Sequence, residues 1–111
     1  MRARLPDRAD VVRRDGVCVA FEVFGQGEPA LLLIPASPIT HARSWKGIVP
    51  TLARRFTVIT TDGRGTGRSD RPHAPECYAP AEVTADWALL SLVGPAWRAA
   101  RINPAVALRN Q

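Results

Sequence analysis

The residues of this chain with the clearest chemical potential fall in one run, Asp62-Gly63-Arg64-Gly65-Thr66-Gly67-Arg68-Ser69-Asp70-Arg71-Pro72. Glycines at alternate positions accept positive φ, so the run can reverse tightly. Arg64 and Asp70 can anchor such a loop by charged hydrogen bonds. The same glycine amides, with Arg64 and Arg68, could instead cradle a phosphate. The spacing argues against that: no third glycine completes G-x-G-x-x-G after Gly67, and no G-K-[ST] appears.

The other reactive side chains do not form a constellation. Ser69 lacks G-x-S-x-G surroundings, so a turn or helix-start hydrogen bond is its expected role. His41 and His73 stand in loop-like sequence without a partner at a telling spacing. Cys18 falls in a strand-like run and Cys77 in a loop-like one, and neither has a second cysteine or histidine at metal-ligand spacing. Both are expected to be reduced structural thiols, and no metal or cofactor is expected.

The glycine-rich loop needs elements on either side to position it. Residues 1–10, rich in Arg, Pro and Asp, read as a flexible leader. Val11 to Arg14, the Asp15-Gly16 dipeptide and the β-branched and aromatic run 17–24 predict a β-hairpin. After Gly25-Gln26-Gly27-Glu28-Pro29, residues 30–34 form an apolar run with the length of a strand buried on both faces, as in parallel sheets. Residues 44–55 place Trp45, Ile48, Val49 and Leu52 at helical spacing, with Pro50 acceptable if a turn begins near it. Residues 56–60 return to strand character, so a right-handed crossover and a parallel pair are predicted, with Asp62 at the second strand's C-terminal end. Pro80-Ala81-Glu82 opens a helix with Val83, Trp87, Leu90 and Val93 on one face, and Gly94-Pro95 reads as its stop. Trp45 and Trp87 are expected in the core. Residues 95–111 read as an irregular basic tail, because Pro104 interrupts their only apolar stretch.

Composition narrows the function classes. A chain of 111 residues with 46% hydrophobic and 23% charged residues has room for one modest globular unit. No apolar run exceeds the five residues of 30–34, far below the roughly 20 residues of a membrane span, so no membrane association and a cytoplasmic location are expected. The net charge of +5 is unevenly spread: residues 1–90 hold twelve basic and ten acidic side chains, or +2, and Arg98, Arg101 and Arg109 supply the other +3. No basic stripe with interleaved aromatics occurs, so nucleic acid is not an expected partner.

The loop 62–70, directly after an apolar strand, resembles the D-x-R-G-x-G-x-S loop of α/β-hydrolases, with Asp62, Gly63, Arg64, Gly65, Gly67, Ser69 and Asp70 matching its pattern or flanking it. The resemblance covers about residues 11–90 and is densest over 35–72. It implies an α/β fold: a partial α/β-hydrolase sheet made of an N-terminal hairpin, a β-α-β unit and one further helix, over residues 11–94, without the later strands. It also implies that the loop after residue 34 donates one oxyanion-hole amide, for which Ser37 is the candidate. Here Pro35-Ala36 stands where the family usually has His-Gly.

The family's next strand ends in the nucleophile elbow G-x-S-x-G, and residues 86–111 contain only Ser91, between Leu90 and Leu92. The resemblance therefore implies a truncated hydrolase, the first third or so of a domain of roughly 250 residues. The parent reaction would be serine-dependent ester or related acyl hydrolysis, with this chain inert alone. The acid-free tail in a chain with 14 Arg and 17 Ala is what a frame change or misplaced stop in GC-rich coding would leave. The missing fifth strand would leave residues 30–34 as an open edge, inviting self-association or a complementing C-terminal hydrolase segment as partner.

Overall fold

The computed structural model describes residues 4–34 and 45–102, the last two by backbone alone. Four strands, β1 (Arg8–Arg14), β2 (Val17–Phe24), β3 (Ala30–Leu33) and β4 (Thr57–Asp62), form one sheet in the order β1-β2-β4-β3. The helices are α1 (Val49–Leu52), α2 (Pro80–Leu90) and α3 (Val93–Ile102), with a 3-10 turn at Pro75–Tyr78. This is the α/β architecture that the sequence predicts, with one additional helix.

The hairpin follows from local chemistry. Asp15 and Gly16 both take positive φ, 51° and 79°, the conformation that matches the right-handed twist of the strands they join. Val12 then pairs with Val19 and Arg14 with Val17. β2 is antiparallel to β4, and β3 is parallel to β4, as the strand-helix-strand order requires.

Side-chain alternation divides the core into two layers. On one face Val19, Phe21, Val23 and Ile59 pack under Leu90, Trp87, Val93 and Trp97 from α2 and α3. On the other, Phe24 and Val58 pack with Val49 and Ala53 of the α1 segment, alongside Trp45 and Leu52. β4 is buried throughout because it has a strand on each side and helices on both faces. Two of its three threonines bond to neighbouring backbone: Thr61 Oγ1 donates to Ala20 O at 2.8 Å and Thr57 Oγ1 to Gly27 O at 2.8 Å.

Four sequence expectations need correction. Strand β1 begins at Arg8, inside the expected leader, because an edge strand needs no apolar period and Asp7 fastens it. The Asp7 amide donates to Val23 O at 2.8 Å, and its carboxylate accepts from the Gly25 amide at 2.7 Å. β3 is half-buried, not buried on both faces, since it is the last strand of the described sheet. The helix expected over 44–55 is a single turn, with Pro50 in it.

The fourth correction is the tail. Gly94-Pro95 does not stop the chain's helical structure; it opens α3. Proline is tolerated in a first turn, where its missing donor has no acceptor to serve. Gly94 is buried against β3, where a Cβ would collide with that of Ala30. Trp97 also donates from Nε1 toward Gly25 O at 3.4 Å, and Arg98 pairs with Glu28.

Candidate functional site

β3 and β4 run parallel, and the helices that follow them lie on opposite faces of the sheet: α1 after β3 on one face and α2 after β4 on the other. α/β sheets hold ligands outside the carboxyl ends of their strands at such a divergence. Leu33 and Asp62 end the two strands, and the glycine-rich loop 62–70 begins there.

That loop is fastened by hydrogen bonds back onto the sheet. Ser69 is 5% exposed; its hydroxyl donates to Asp62 O and accepts from the Ala20 amide at 2.8 Å. Asp70 extends the same pairing, its amide donating to Cys18 O at 2.8 Å and its carboxylate accepting the Cys18 amide at 2.8 Å. The Asp62 carboxylate accepts the Arg68 amide at 3.1 Å across the turn. Gly67, at φ 50°, lies against that carboxylate so closely that a Cβ would collide with it.

Arg64 is anchored from the other side. It donates to Asp86 from Nε at 2.6 Å and Nη2 at 2.8 Å, and to Cys77 O from Nη1 at 2.8 Å. Asp86 also accepts from Arg14 Nε at 3.0 Å, while Arg14 Nη2 donates to Glu82 O at 2.7 Å. One buried carboxylate thus joins the hairpin, the loop and α2. Its hydrogen bonds hold the Arg64 guanidinium above its ordinary pKa against the opposing effect of burial. Arg14 is raised likewise, by Asp86 first and Glu82 second.

Sequence reading singled out neither Asp86 nor Arg14. The available signal was an acid set among the apolar positions Val83, Trp87 and Leu90 of one helix. Ser37 and His41 lie outside the described residues. His73 and Ser91 are exposed, and the Ser91 hydroxyl donates to Ala88 O at 2.6 Å as a helix-end contact. Gly63 accepts from the Thr66 amide and hydroxyl at 3.0 and 2.7 Å.

The phosphate-cradle alternative loses its donors in this geometry. The amides of Gly65, Thr66, Arg68, Ser69 and Asp70 all donate within the protein. Arg68 faces Glu22 at 3.2 Å and Arg64 is committed to Asp86. An anion would meet the Asp62 carboxylate where it needs free amides. Among the described residues no cluster of His, Cys, Asp and Glu could hold a metal, and no helix is long and apolar enough to cross a membrane.

A family model described as the alpha/beta hydrolase fold matches residues 29–102. The chain belongs to the α/β-hydrolase fold family. A curated relative of this α/β-hydrolase, "Probable oxidoreductase EphD" of Mycobacterium tuberculosis, is 37% identical over 76 residues, which cover 66% of this chain and 12% of that protein. The crystal structure of a hydrolase from Pseudomonas aeruginosa superposes with a TM-score of 0.66 at 30% identity, over 76% of this chain and 31% of that one. An epoxide hydrolase mutant from Vigna radiata gives a TM-score of 0.65 at 24% identity, over 78% of this chain and 27% of that one, a likeness of fold alone. The chain therefore spans under a third of each of these proteins.

Proposed function

We propose that this chain supplies the N-terminal sheet and rim loop of a hydrolase that opens an ester or an epoxide by nucleophilic attack, and that these 111 residues alone turn over neither. The reading is carried by the D-x-R-G-x-G-x-S loop, fastened through Ser69 to Ala20 and through Arg64 to Asp86 beside the divergence of β3 and β4. The loop after β3, with the Ser37 amide, is the candidate oxyanion donor that the family pattern implies. Ester hydrolysis through a serine comes from the family pattern, and the epoxide alternative from the Vigna radiata protein's name.

Inertness of the chain alone is supported by its nucleophile inventory. No G-x-S-x-G occurs in the sequence, and Ser91 is engaged at the end of α2. Oxyanion donors without a nucleophile and base have no covalent intermediate to stabilise. A reducing, cytoplasmic setting fits the free thiols of Cys18 and Cys77.

Purified chain incubated with a p-nitrophenyl ester and, separately, with styrene oxide should give rates equal to those of heat-denatured chain. Saturable turnover of either substrate would refute the proposal. A second reading, docking onto a separately encoded C-terminal hydrolase segment, is favoured by the half-buried position of β3 at the end of the described sheet. Co-expression with a segment carrying G-x-S-x-G and a late histidine should then restore hydrolysis.

A further inference from the structure

β1 is the terminal strand of the described sheet on the side away from β3, and Ala9, Asp10, Val11 and Arg13 along it are exposed. The amides of Cys18 and Ala20 on β2 donate away from β1, to Asp70 Oδ2 and to Ser69 Oγ, each at 2.8 Å. Successive residues of a strand turn their backbone groups to opposite edges, so Val19 and Phe21 are the residues that bond to β1, through their partners Val12 and Asp10. Residues 9, 11 and 13 therefore turn their amides and carbonyls to the open edge. The middle amide of the three is already taken. Val11 N donates to Asp10 Oδ1 at 2.8 Å, and Arg8 Nη2 donates to Asp10 Oδ2 at 2.8 Å. The Asp10 carboxylate thus occupies the place where the carbonyl of an incoming strand would accept the Val11 amide.

We propose that the β1 edge is a pairing surface for a second copy of this chain, held shut by the Asp10 carboxylate. A row of outward backbone groups on an edge strand recruits another strand. Two β1 strands continue one sheet about a two-fold axis only where outward-turned residues oppose outward-turned residues. Three such registers pair at least five of the seven residues of β1. One sets Val11 against Val11 and therefore Arg8 against Arg14, and another sets Ala9 against Val11 and therefore Asp10 against Asp10. Like charges directly opposite destabilise a pair. The third sets Val11 against Arg13, which brings Val12 against Val12 and Asp10 against Arg14, so opposite charges meet on both sides of the axis. In that register the Val11 amide donates to the Arg13 carbonyl of the second copy, the bond that Asp10 pre-empts. Val11, 46% exposed, is then covered by the Arg13 stem. The inference goes beyond the hydrolase reading and does not depend on it, because it rests on the strand edge alone.

Sedimentation velocity and hydrogen exchange over a concentration series test the proposal on the full chain, on Asp10→Ala and on Asp10→Ala combined with Val11→Pro. Removing the Asp10 charge raises the net charge above +5, which opposes general association, so a dimer of Asp10→Ala reports the freed edge. Asp10→Ala should dimerise as concentration rises, with the amides of residues 11 and 13 exchanging at least about tenfold slower than in dilute solution. In the unaltered chain the residue 13 amide should exchange equally fast at every concentration. Proline at 11 removes an outward amide and leaves the bonds to β2 in place, so the double variant should return to the exchange of the unaltered chain at residue 13. A residue 13 amide indifferent to concentration in Asp10→Ala would overturn the proposal. So would a dimer of that variant that survives Val11→Pro, or one that protects residues 30–33 in place of 11 and 13. Concentration-dependent protection of residue 13 in the unaltered chain would overturn it too, by showing that Asp10 does not hold the edge shut.

Discussion

Arg64 and Asp86, 22 residues apart, meet through two hydrogen bonds of 2.6 and 2.8 Å, one to each carboxylate oxygen, with only 3% and 4% of their side chains exposed. This pair fixes the loop after β4 to α2, and Arg14 draws the hairpin into the same contact. Removing the carboxylate charge leaves the buried Arg64 guanidinium without its counter-ion, whereas Arg14 keeps Glu82. Asp86→Asn is therefore expected to cost about 3–5 kcal/mol of unfolding free energy in urea titration. Replacing the pair together, by Arg64→Met with Asp86→Leu, should cost less than the single change, because no unpaired charge is left in the buried site. A double variant at least as unstable as Asp86→Asn would contradict this account.

Ser69 closes the loop by satisfying a backbone amide of the central sheet. Ser69→Ala leaves the Ala20 amide without its acceptor in a buried position, at a cost of about 1–3 kcal/mol. The local signature is faster hydrogen exchange at Ala20, with the Val12 and Val19 amides little changed.

Two glycines of the same loop should respond unequally to the same substitution. Gly67→Ala meets both positive φ and the Asp62 carboxylate, and is expected to destabilise by about 1–3 kcal/mol. Gly63→Ala faces open space and should stay within about 0.5 kcal/mol of the parent. Thermal melts of the two variants check the contrast; equal effects would mean that the loop's close approach to Asp62 is not a constraint.

The face of α2 is tested by its leucines. Leu90 is fully buried over Phe21 and Ile59, whereas Leu92 is 63% exposed just beyond the helix. Leu90→Ala should cost about 2–5 kcal/mol and Leu92→Ala almost nothing. A domain of this size has only about 5–15 kcal/mol in total, so Leu90→Ala should visibly lower the denaturation midpoint.

Features set by neighbouring residues were legible in the sequence. Asp15-Gly16 specifies its turn through positive φ at both positions, and the hairpin follows with its register. The glycine-rich run after an apolar strand identified both the rim loop and the family. Features set by convergence were not. Nothing near Asp86 in the chain states that Arg64 and Arg14 arrive there, and the weight of the carboxylate comes from burial that the arginines and the helix create together.

The tail shows the same division most clearly. Gly94-Pro95 reads as a helix stop, because glycine and proline are poor in a helix interior. Packed against Ala30, the same pair is a helix start: the glycine allows close approach and the proline occupies a first turn. Local chemistry thus determined the hairpin, the parallel strand pair, the rim loop and the family by itself. Only the tertiary structure decided which face each helix covers, which acid holds the loop and which strand lies at the described edge. These depend on contacts between residues distant in the chain, whose energies exist only once the sheet brings them together.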